Sequence, residues 1–89
     1  MNECVDIRMF EECSGVHSHT YPQIMVPLQK NMNICIDDMD YAVTAQELCL
    51  VPAGMTHECN FYGRLLVINL TTNMIDNQKL ANLTVPLIV

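Results

Sequence analysis

Between residues 31 and 36 polar and apolar side chains alternate, the period-two pattern of a strand with one wet and one buried face. Asp37, Asp38, Met39 and Asp40 follow as turn formers, and residues 41–44 make the returning arm of a hairpin. After a turn at Gln46 and Glu47, residues 48–51 are wholly apolar, a buried strand stopped by Pro52. Residues 64–70 carry the strongest strand signal, β-branched and long enough to cross a small sheet. Earlier in the chain, residues 5–10 predict a first strand and residues 11–15 a polar turn leading to Val16 and the histidines. Residues 24–29 form an apolar run in which Pro27 lacks a ladder donor, which predicts an edge or a bulge, with Lys30 and Asn31 turning after it. Asn73 can cap a short helical turn within residues 73–83. Residues 84–89 are apolar with no polar tail, a strand that completes a sheet, meets a partner, or marks a cut inside a longer protein.

Short strands, regular turn signals and no long helical period predict an all-β fold, a small antiparallel double-sheet β-barrel or sandwich spanning residues 1–89 as one domain. A chain of 89 residues buries only about 60–65% of the surface its unfolded form exposes, so its stability margin is thin. Ten acidic residues against four basic ones, a formal charge of −6, exclude a phosphate-binding surface, so no direct nucleic-acid contact is expected. No apolar run approaches the ~20 residues that span a bilayer and no signal segment opens the chain, which predicts a cytoplasmic protein without a membrane role.

All three histidines fall in two stretches, His17-Ser18-His19-Thr20-Tyr21-Pro22-Gln23 and Pro52-Ala53-Gly54-Met55-Thr56-His57. Side chains two apart leave one face of a strand, so His17 and His19 share a direction, and Gln23 has the same parity if the strand runs through Pro22. The Pro-x-Gly turn can return His57 to the same place from a neighbouring strand. Three imidazoles and an amide oxygen converging from two segments make either a metal site or a polar grip on a small ligand. The metal reading takes His17, His19, Gln23 and His57 as ligands to a divalent Zn, Ni, Fe, Mn or Cu ion, with no anionic donor to hold hard cations. Tyr21 and Tyr62 are candidates for the pocket mouth, and Met25 and Met55 for its inner wall.

Five cysteines without a Cys-x-x-Cys pair read, in a reducing compartment, as small apolar residues, with Cys35 and Cys49 in the core. Cys59 shares parity with His57 and is a candidate for lining the ligand site or for soft ligation. Glu58 has the opposite parity and faces solvent, which leaves the cluster without a general base placed by sequence. Asp37, Asp38 and Asp40 lack the glycine and closing Glu of a calcium loop. Ser14 and Ser18 sit on no nucleophile elbow, so serine hydrolysis is not supported. The Asn-x-Thr triplets at Asn69 and Asn82 are read as chance.

His17, His19 and Gln23, with Pro52, Gly54 and His57, resemble the two motifs of the cupins, small double-sheet β-barrels of jelly-roll type. Three features depart from that pattern: Gln46 and Glu47 stand where the family has Gly-Asp, Lys30 where it has a glycine, and the region of Phe61 where it sometimes has an asparagine. More narrowly, residues 5–70 resemble the N-terminal sensor domain of AraC-type transcription regulators. That resemblance implies a barrel that binds a small-molecule effector and supports a homodimer, with DNA held by a separate domain that this chain lacks and with an ending interrupted before the dimerisation helices. A metal-dependent cupin enzyme, an oxygenase or isomerase of a small polar molecule, is the alternative, and a non-enzymatic sensor is the expectation preferred.

Overall fold

A computed structural model describes residues 6–70 and 85–89. The expected helical turn at 73–83, the triplet at Asn82 and the start of the first strand at Val5 lie outside those residues.

The described residues form nine strands and no helix: β1 (Asp6–Cys13), β2 (Val16–His17), β3 (Gln23–Pro27), β4 (Met32–Ile36), β5 (Met39–Val43), β6 (Cys49–Val51), β7 (His57–Cys59), β8 (Phe61–Asn69) and β9 (Leu87–Ile88). They build two antiparallel sheets, one in the order β1-β8-β3-β6-β9 and the other β2-β7-β4-β5. The predicted all-β, double-sheet class is therefore what the chain adopts. Among the described residues no helix is long and apolar enough to cross a membrane.

Alternation along each strand decides what enters the core. In β4, Met32, Ile34 and Ile36 point inward, and in β8 Leu65 and Val67 do, all nearly inaccessible and packed with Met25, Val43, Cys49 and Val51 between the sheets. Burying one such aliphatic side chain contributes about 1.5–3 kcal/mol. The same alternation puts Cys35 on the outer, half-exposed face of β4, correcting its expected core position, whereas Cys49 is fully buried. On that outer face burial, the carboxylate of Asp40 opposite and a hydrogen bond to it push the Cys35 thiol's pKa up.

Three further expectations change. Pro27 lies on a central strand, not an edge: β3 is held by β8 on one side and β6 on the other. Pro27 is tolerated because β6 pairs only as far as Met25, so the missing N–H falls beyond that ladder. The first strand runs on through Glu11 and Glu12 to Cys13, because β8 extends back to Phe61 and supplies it with partners past a register irregularity between Phe10 and Glu12. The turn that follows is confined to Ser14 and Gly15. The apolar C-terminal segment completes a sheet, β9 pairing with β6.

Cys13 and Cys59 form a disulfide that joins β1 in one sheet to β7 in the other. This corrects the reading of both as free thiols, and it removes Cys59 as a soft ligand. The sequence puts them in unlike settings, Cys13 in a polar turn and Cys59 two residues beyond His57, and only the stacking of the two sheets brings them together. Disulfides persist in oxidising surroundings, so the pair stands against the reducing compartment on which the free-thiol reading relied.

The β4–β5 hairpin turns on Asp37 and Asp38, both at positive φ (47° and 68°), the backbone of a two-residue turn that matches sheet twist. Asp37 also fixes the next loop. Its N–H donates to the Thr56 carbonyl at 2.8 Å, and the Thr56 N–H donates to its Oδ1 at 2.9 Å. That clamp delivers the chain to His57.

Candidate functional site

The Pro52 turn closes with the Met55 N–H donating to the Pro52 carbonyl at 3.3 Å, and Gly54 holds φ at +84°, where a side chain would be strained. Its N–H donates to the His19 carbonyl at 2.7 Å. The two histidine-bearing stretches are thus tied backbone to backbone, and His57 starts β7 directly opposite His17 on β2.

The three rings meet. Centroids lie 5.8 Å apart for His17 and His57, 5.6 Å for His19 and His57, and 6.3 Å for His17 and His19, the last pair nearly parallel. Tyr21 stacks on His19 at 4.9 Å. His17 is exposed and His19 half-buried, while His57 is only 2% exposed. Burial, then the neighbouring His19 and His17, push the His57 pKa down to about 4; burial and His17 also lower His19. His57 is therefore a neutral imidazole at pH 7. The Nε2 of His17 lies 2.9 Å from the Ser14 carbonyl, and since a carbonyl only accepts, Nε2 carries a proton.

Gln23 reaches the same cavity by a different route from the one expected. The strand does not run through Pro22: β2 ends at His17, the chain crosses between sheets over residues 18–22, and Gln23 opens β3 on the opposite wall. Shared parity is not what unites His17 and Gln23; a shared interior is. That interior is a cavity of about 430 Å³ lined by the three histidines, Tyr21, Gln23 and Met25, and a volume of this size takes a small molecule. Met55 instead packs against the core, and Tyr62 is exposed outside the cavity. Glu58 faces solvent, as its parity predicts.

Sequence reasoning missed the far end. Gln23 Nε2 donates to Asn69 Oδ1 at 2.7 Å, Asn69 Nδ2 donates to Asp6 Oδ2 at 3.1 Å, and Arg8 Nε donates to the same oxygen at 3.0 Å. Asn69, Asp6 and Arg8 all line the cavity. Asn69 had been weighed only as a glycosylation triplet, a role its burial excludes. The available signal was its inward parity with Leu65 and Val67, a polar residue placed where a strand buries its side chains.

The donor chemistry of three imidazoles suits a divalent ion, but the spacing does not close on one. Nitrogens ~2.0–2.1 Å from a common ion would bring ring centroids to roughly 4.6–5.3 Å of each other. The observed separations are wider, and no group of three or more His, Cys, Asp or Glu among the described residues is arranged to hold a metal. What the arrangement does present is unsatisfied polarity. Gln23 Oε1 and His57 Nδ1 are buried without a hydrogen-bond partner.

No protein-family model matches the chain, and no curated protein matches it as a relative.

Proposed function

We propose that this chain is a ligand-binding domain whose cavity takes a small polar molecule, in the manner of the sensor barrels that its two histidine motifs resemble. The observation that carries this reading is the pair of orphaned buried polar atoms, Gln23 Oε1 and His57 Nδ1, on two residues that line one cavity. Each such atom costs about 1–3 kcal/mol when left unpaired, a cost that a partner group recovers on binding. Binding would favour the arrangement of the two sheets that closes on the ligand, and an attached domain or a second copy of the chain would feel that shift. As a sensor of AraC type the chain would form a homodimer, without touching nucleic acid itself.

Three imidazoles on one cavity support a second reading, in which a divalent ion is the ligand or a cofactor. His17, His19, His57 and Gln23 would hold it, once His17 turned from the Ser14 carbonyl and the rings drew closer. Such an ion would supply a polarising positive charge. The same protein sample separates the readings: metal analysis after purification without chelator, then heteronuclear NMR with a panel of small hydroxylated, amino and carboxylic compounds. Shifts confined to cavity residues and lost in His57→Ala support the proposal. A protein whose cavity resonances respond to no compound and no metal overturns it, and stoichiometric metal favours the second reading.

A further inference from the structure

The amide of Gln23 is oriented from the protein surface. Asp6 is held as a carboxylate by hydrogen bonds from Asn69 and Arg8, which keep its carboxyl below the usual range. A carboxylate only accepts hydrogen bonds, so Asn69 must offer it Nδ2 and has only Oδ1 left to turn toward Gln23. Gln23 must then meet Asn69 with Nε2, and Oε1 becomes its free end. Polarity thus passes inward through two amides. Reversing either would set oxygen against oxygen or N–H against N–H.

We infer that Asp6 and Asn69 are positioning residues that lock the Gln23 amide with its oxygen free for the cavity, making this end of it an acceptor site selective for ligands bearing a hydrogen-bond donor, a hydroxyl or a protonated nitrogen. The inference rests on the ligand-binding reading of this cavity and names the ligand chemistry. A carboxylate or phosphate placed beside Gln23 Oε1 would face it lone pair to lone pair.

Acetamidinium and acetate, alike in shape and opposite in hydrogen-bond polarity, test the selectivity, and NMR of the free protein tests the orientation. In the free protein the Gln23 side-chain N–H protons show NOEs to Asn69 and exchange at least about tenfold more slowly than those of exposed Gln46, as a bond of this kind requires. Unprotected Gln23 protons without those NOEs would overturn the inference while leaving the ligand-binding reading standing. With both probes at moderate salt, acetamidinium shifts the resonances of Gln23 and its neighbours at roughly tenfold lower concentration than acetate. That preference collapses in Gln23→Leu and in Asp6→Asn, where the carboxylate no longer dictates which way the amides face, and it persists in Asp6→Glu. Equal or reversed preference in the native protein, or full preference retained in Asp6→Asn, refutes the positioning role. If neither probe reaches the cavity while Gln23 shows the stated orientation, the selectivity falls together with the ligand-binding reading.

Discussion

His17 and His57 stand directly opposite one another on the β2–β7 ladder, with ring centroids 5.8 Å apart, one imidazole exposed and the other buried. Two copies of one side chain thus meet at a single register position in unlike surroundings, and the buried copy gives up its basicity.

Stability should therefore fall on acidification. The folded-state pKa of His57 lies near 4 against 6.5 for an unperturbed histidine, so the unfolded chain takes up a proton first as pH drops. The contribution is complete above pH 6.5 and is lost as pH falls from there to about 4. Full loss amounts to about 3 kcal/mol. Urea melts of chelator-treated protein across this range should show the decline, and His57→Leu should flatten it.

Reduction should loosen the fold. The Cys13–Cys59 bond closes a loop with a sequence separation of 46, and the chain-entropy relation gives it about 4 kcal/mol. Protein unfolded with reductant should show a lower denaturant midpoint than protein without it, and intact mass should rise by two hydrogens. Equal midpoints in a sample proven to carry the bond would contradict this entropic role.

Gly54→Ala isolates the turn that ties the histidine stretches together. A Cβ there meets nothing within 4 Å, so the cost comes from backbone strain at φ +84°. We expect about 1–2 kcal/mol of lost stability. A shift in the His19 backbone resonances should accompany it, since the Gly54 N–H holds that carbonyl.

The hairpin offers the opposite test. Asp38 holds φ at 68°, a region glycine enters without steric cost, so Asp38→Gly should raise stability by up to about 1 kcal/mol, read from the thermal midpoint. Asp37 should be left in place because its side chain holds the Thr56 N–H.

Local pattern made much of this fold legible. Alternation in β4, the apolar run of β6 and the β-branched stretch of β8 each named a strand, because facing one core is a property that neighbouring residues share. The meeting of His17, His19 and His57 was legible from motif spacing and a Pro-x-Gly turn. What stayed hidden depends on long-range placement. Gln23 enters from the other sheet, Cys13 finds Cys59, and Asn69 finds Asp6, all joined across the stacking of sheets and not along any strand. Cys35 shows the limit within a strand: apolar neighbours suggested burial, and only parity told which side it faced.

β1 gives the cavity a lip of single thickness. Its residues from Ile7 to Glu12 are exposed, those on the inner side such as Arg8 and Phe10 included, and in the described structure it is hydrogen-bonded to β8 alone. A guest resting against Arg8 and Phe10 leans on one ply of backbone with no second layer behind it. How wide the entrance stands is then governed by a ladder that water can reach, while the depth of the chamber is set by the packed aliphatic floor.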